Sequence, residues 1–126
     1  MSAGCVAGEL VVFLSDIHFG GPWLPKSTEK VVTDFFHSLS ARSDVSLVVI
    51  LGDVFEEELH PFNKHPPSIP DLLHDHAQDP FLIAFKALCA SKKVVLLPGN
   101  HDSSIFRNPS LPSLIESTLG CQVWHR

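Results

Sequence analysis

Three short apolar runs punctuate the chain: Leu10–Leu14, Val45–Leu51 and Val94–Leu97. Each is rich in β-branched residues and nearly unbroken by polar ones, which predicts strands buried on both faces, as in a parallel sheet flanked by helices. Between the runs the period lengthens. Val31, Val32, Phe35, Phe36 and Leu39 recur at helical spacing and predict one core-facing stripe. Asp79-Pro80 suits the cap and first position of a second helix, whose stripe is Phe81, Leu82, Phe85, Leu88 and Cys89. A third helix is expected over Ser113–Leu119, stopping at Gly120, with Cys121–Trp124 opening a fourth strand. The predicted order is β-α-β-α-β-α-β around a mainly parallel sheet, with right-handed crossovers. Residues 60–79 break the rhythm with Pro61, Pro66, Pro67 and Pro70, and read as an irregular surface insertion with one short turn around Asp71–His76.

Composition narrows the picture. A chain of 126 residues is expected to form one domain with a single modest core. With 44% hydrophobic and 18% charged residues it does not read as disordered. A net charge of −5 and the lack of any basic run argue against a broad electropositive nucleic-acid-binding face. Cys5, Cys89 and Cys121 are odd in number and form no C-x-x-C pair, so neither a zinc knuckle nor a disulfide framework is suggested. They fit a reducing compartment, with Cys89 as a small buried apolar residue. The run Leu10–Leu14 is too short to span a bilayer and no basic leader precedes it, so the expectation is a cytoplasmic protein.

Eight histidines are the oddity, and they direct attention to metal ligands. Strand one runs into Ser15-Asp16-Ile17-His18, strand two into Gly52-Asp53, and strand three into Pro98-Gly99-Asn100-His101-Asp102. In an open α/β sheet these are strand C-terminal ends, where such folds place their ligands. Strand alternation would point Asp16 and His18 the same way and turn Ile17 into the packing. Gly52 and Gly99 allow sharp turns or close backbone approach. Carboxylate, imidazole and amide donors suit Mn, Fe, Zn or Mg. Other positions carry two readings each. His74-Asp75-His76 is a weak metal pair or, more simply, a solvated loop; Glu56-Glu57-Glu58 reads as the solvated start of the insertion. Arg107 would touch phosphate or stay in solvent, and Trp23 lines the mouth of a site or anchors its loop.

Taken together, Asp-x-His, Gly-Asp-x-x-(Asp/Glu) and Gly-Asn-His-(Asp/Glu), each after a hydrophobic strand, resemble the calcineurin-like metallophosphoesterases over roughly residues 9–102. Glu56 stands in the second motif where many members have Asp. The resemblance implies an α/β/β/α sandwich and a dinuclear metal centre that hydrolyses a phosphomonoester, phosphodiester or pyrophosphate with a metal-activated water. Carried over, Asp16 and His18 hold the first ion, Asp53 bridges both, and Asn100 holds the second. His101 contacts the phosphate or protonates the leaving alkoxide, and Asp102 orients its imidazole. The family completes its site with a later histidine and a Gly-His-x-His motif, whereas here only His125 follows Asp102. The expectation is therefore a truncated domain over residues 1–126, half of the sandwich, weakly active or inactive alone. Its uncovered sheet face would favour self-association or a partner that completes the fold. The competing reading is a non-catalytic interaction module on the same fold.

Overall fold

In a computed structural model that describes residues 10–58 and 67–124, four parallel strands lie side by side in chain order. The elements are β1 (Leu10–Leu14), α1 (Lys26–Ala41), β2 (Val45–Leu51), α2 (Ile69–Asp75), α3 (Pro80–Ser91), β3 (Lys93–Leu97), α4 (Ser104–Arg107), α5 (Leu111–Leu119) and β4 (Gln122–Val123). The register runs Leu14↔Ile50, Ile50↔Leu96 and Leu96↔Val123, so the C-terminal ends of β1, β2 and β3 finish in line. That alignment brings together loops that are tens of residues apart in sequence.

Local chemistry explains most boundaries. α5 stops at Gly120, which takes the left-handed conformation at φ 89° that a side chain would resist. α3 starts at Pro80, but Asp79 does not cap it with its side chain. Its carboxylate instead accepts from His76 Nδ1 at 2.6 Å. α2 is a full helix where the sequence suggested only a turn, because Ser68 and Asp71 form a reciprocal capping box and Pro70 pre-sets the first turn. The short α4 was also not anticipated. Residues 60–66 of the expected insertion, including His60 and His65, lie outside the described residues.

Helix α3 packs against both α1 and α5, and the core lies between these helices and the sheet. Val48, Ile50, Val94, Leu96 and Val123 face it from the strands; Phe36, Leu39, Phe81, Phe85, Leu88, Ile115 and Leu119 face it from the helices. Phe36 and Phe85 meet edge to face at 5.5 Å, and Phe19 stacks on Phe81 at 4.7 Å. Each such fully buried side chain contributes roughly 1.5–3 kcal/mol.

Two expectations need correction here. The strands are not buried on both faces: Val11, Phe13 and Leu51 lie on the face away from α1, α3 and α5 and stay exposed, Phe13 at 61%. All three long helices cover the same face, and no second layer lies on the other among the described residues. The α1 stripe is also narrower than its sequence, since Phe36 and Leu39 are buried while Val31 and Phe35 are exposed. Five apolar residues at that spacing form two adjacent rows, and only one row reaches the core. Cys121 is buried and Cys89 half-buried. A thiol hydrogen bond to Cys121, together with burial, pushes the Cys89 thiol well up. No helix among the described residues is long and apolar enough to cross a membrane.

Candidate metal centre

Past their last sheet residues, the chains leaving β1 and β2 remain paired. Asp16 N donates to Gly52 O (3.2 Å), His18 N to Asp53 O (2.8 Å) and Phe19 N to Val54 O (2.7 Å), and Glu56 N returns to Phe19 O (2.9 Å). This ladder is not ordinary strand. Asp16, His18 and Asp53 adopt left-handed φ of 60°, 56° and 57°. Non-glycine residues held there cost on the order of 1–3 kcal/mol each, strain that tends to gather at functional sites. Ile17 between them is buried, as expected, and Asp16 and His18 still share a side, with His18 Nε2 3.5 Å from Asp16 Oδ1. The left-handed kinks achieve what strand alternation was expected to do.

The third loop closes on the second. Gly52 sits at φ 95°, and a Cβ there would lie 2.9 Å from Gly99 Cα, so the two backbones touch. His101 N donates to Asp53 Oδ1 at 2.8 Å. Ligand atoms of Asp16, His18 and Asp53 all lie within 4.8 Å of one another, and a second group of the same kind is His18, Glu56 and His101. Asn100, at the end of β3, is exposed.

Asp102 does not take the role expected of it. It is fully buried and its carboxylate accepts four backbone N–H groups: Gly99 (2.6 Å) and Asp53 (3.3 Å) on Oδ1, Val54 (2.9 Å) and Phe55 (3.3 Å) on Oδ2. Burial pushes its pKa up, against the downward pull of those amides. Asp102 therefore ties the second and third loops together instead of orienting an imidazole.

Glu56 holds the imidazoles. His18 Nδ1 lies 2.9 Å from Glu56 Oε1, and His101 Nδ1 lies 2.9 Å from both oxygens. Oε2 also accepts from Glu58 N at 2.8 Å. Only 2% of the Glu56 side chain is exposed, so the reading of Glu56-Glu57-Glu58 as a solvated run fails at its first residue. Glu57 is engaged as well, accepting from Ile69 N at 3.0 Å and from the Ser104 hydroxyl. With both Nδ1 atoms turned to Glu56, each Nε2 is left for a ligand. The hydrogen bond to Glu56 raises the His101 pKa above its usual 6.5. A hydrogen bond from Ser15 lowers that of Asp16, which is 64% exposed.

The remaining sequence candidates separate. His74 pairs with Asp75 (3.0 Å) in solvent, while His76 pairs with Asp79 and packs on Phe19 at 5.5 Å. The two do not form a metal group. Arg107 donates to Ser103 Oγ at 2.7 Å. Trp23 lines a cavity of about 210 Å³ shared with Asp16, His18 and Glu56. His125 lies outside the described residues.

Residues 10–124, which include every loop of this centre, match the calcineurin-like phosphoesterase family. The chain belongs to that family. No curated protein matches it. Among solved structures, the crystal structure of Pseudomonas putida nuclease MPE is similar, with a TM-score of 0.52 at 22% identity, and the likeness shows a shared fold. It covers 91% of this chain and 47% of the nuclease, so this calcineurin-like chain spans about half the length of that neighbour. Its four-stranded parallel sheet is part of the metallophosphoesterase fold. Asp16, His18, Asp53 and Glu56 meet at one end of that sheet.

Proposed function

We propose that the chain carries the metal- and phosphate-binding part of a phosphoesterase that cleaves a phosphomonoester, phosphodiester or pyrophosphate with a metal-activated water. The observation that supports this most is the convergence of Asp16, His18 and Asp53 donor atoms within 4.8 Å. That oxygen and nitrogen set fits Mn, Fe, Zn or Mg, and three strained backbone positions hold it. Asp16 and His18 would hold a first divalent ion, Asp53 would be shared, and Asn100 would serve a second. When bound, the ions supply charge neutralisation at the phosphoryl oxygens and a water of lowered pKa.

The chain's own residues supply the rest. Glu56 fixes the His101 ring through Nδ1, so Nε2 is the atom that donates a proton to the leaving oxygen. The hydrogen bond to Glu56 raises the His101 pKa, the direction that favours the protonated, proton-donating imidazole. Asp102 holds the backbone on which Asp53 and His101 ride. The similar nuclease makes a phosphodiester one reasonable ester class, while the charge of −5 disfavours a long polyanionic substrate on this chain. Free thiols at Cys89 and Cys121 suit a reducing, cytoplasmic setting.

The test is hydrolysis of bis-p-nitrophenyl phosphate with and without Mn²⁺. Slow, Mn²⁺-stimulated turnover lost in Asp53→Ala is expected, since Asp53 and Asn100 give a second ion few donors. Turnover indifferent to metal or to that substitution would contradict the reading. The open face bearing Phe13 and Leu51 favours one alternative, a non-catalytic interaction module. It predicts partner binding that survives Asp16→Ala and no metal-stimulated hydrolysis.

A further inference from the structure

The cavity beside Asp16 and His18 has two unlike walls. Asp16, His18 and Glu56 form one; Ile17, Trp23 and Leu24 form the other, around about 210 Å³. Trp23 is 63% exposed, so it does not anchor its loop by burial. The loop is held by other means. Gly21 N donates to His18 O at 3.0 Å, and Leu24 N to Gly21 O at 3.4 Å. A Cβ on Gly21 would lie 3.0 Å from His18 O and 3.1 Å from Glu56 Cγ, so the loop rests on the residue that positions both imidazoles. Gly20, at φ 89°, presses on Leu72 of α2, where a Cβ would lie 2.7 Å from Leu72 Cδ2. Trp23 is thus held on a braced turn beside the candidate metal ligands, with its indole facing water.

We propose that Trp23 and Leu24 form an apolar subsite for a planar aromatic group, aryl or nucleobase, carried on the phosphate ester. This rests on the reading that the phosphate lies at Asp16, His18 and Asp53. An indole face offers stacking to any flat π-system, whereas an alkyl group gains only contact area there. The cavity is below the usual size of a drug-sized pocket, and suits one ring system more than a chain of residues or nucleotides. A quaternary ammonium would also be attracted to indole, but such sites are built as aromatic cages, and here the other apolar walls are the aliphatic Ile17 and Leu24.

The experiment uses the full chain carrying Trp124→Phe, which leaves Trp23 as the sole tryptophan. Its fluorescence is followed in Mg²⁺ buffer while phenylphosphonate, adenosine monophosphate, ethylphosphonate or phosphocholine is added, with calorimetry supplying Kd. Phenylphosphonate and adenosine monophosphate should quench Trp23 and bind at least about fivefold tighter than ethylphosphonate. The tighter of the two names the source of the aromatic group. Trp23→Ala should erase the preference and Trp23→Phe should keep most of it, with ethylphosphonate affinity unchanged in both. Equal affinity for phenyl- and ethylphosphonate, tightest binding of phosphocholine, a preference surviving Trp23→Ala, or no saturable binding of any aromatic probe would overturn the proposal. Loss of the preference alongside metal-stimulated hydrolysis leaves the phosphoesterase reading standing. Quenching by plain adenosine without phosphonate binding or hydrolysis sinks that reading and, with it, the proposal that the aromatic group is carried on a phosphate ester.

Discussion

Both carboxylate oxygens of Glu56 lie 2.9 Å from Nδ1 of His101, at a site where the Glu56 side chain is almost wholly enclosed. The hydrogen bond to Glu56 is what chiefly raises the His101 pKa. A histidine whose folded pKa exceeds its unfolded value near 6.5 adds stability that is fully present below that value. The contribution is then lost as pH rises through the folded pKa. In the metal-free chain, imidazole NMR should show His101 titrating above 6.5, and Glu56→Gln should move the midpoint down. Stability should also depend less on pH in that range. An unmoved midpoint would show that Glu56 does not hold the proton.

Asp102 and His101 are adjacent in sequence but should behave oppositely. Asp102→Ala strands four amides, two of them on the buried residues Val54 and Phe55. Partial rehydration limits the loss, and denaturant unfolding should show a decrease of about 3 kcal/mol. Asp102→Asn, which keeps one acceptor oxygen, should cost roughly half as much. His101→Ala should cost about 1 kcal/mol or less while removing the proposed proton donor.

Gly52→Ala tests the contact between the second and third loops. A methyl at φ 95°, 2.9 Å from Gly99 Cα, must move one of the two backbones. We expect a loss of about 1–3 kcal/mol by thermal or denaturant unfolding, with weaker metal binding because Asp53 moves too. Gly120→Ala strains a similar φ of 89° at the end of α5, far along the chain from the metal loops, and should lower stability while leaving metal affinity unchanged.

The open sheet face should make the chain associate. Phe13 at 61% exposure and Leu51 at 51% lie on it, with exposed Val11 two residues before Phe13 on the same strand. Apolar surface of this kind is covered in most stable proteins. Light scattering should show concentration-dependent association, reduced by Phe13→Lys with little loss of stability, since that side chain touches mainly water. A monodisperse monomer at high concentration would contradict this.

Much of this fold was legible because local rules and the tertiary structure agree. The runs at β1 to β3 and the stop at Gly120 are where the pattern placed them. The helix-side bias of the sheet was not legible, since an apolar strand reads alike whether one face or two are covered. The three polar loops at the strand ends stood out by residue type and spacing, but the contacts that join them did not. Glu56 and Asp102 sit in acidic or polar stretches, and only the closure of three loops shows that one carboxylate holds imidazoles and the other holds backbone. The capping box of Ser68 and Asp71 could have been read from sequence, and the prolines around it obscured α2.

Isothermal titration of Mn²⁺ into the chain, compared with Asp53→Ala, tests the central claim most directly. Asp16, His18 and Asp53 as a metal centre predict saturable binding that weakens at least about tenfold in Asp53→Ala and is unchanged in His74→Ala. Equal Mn²⁺ affinity in the chain and in Asp53→Ala would contradict it.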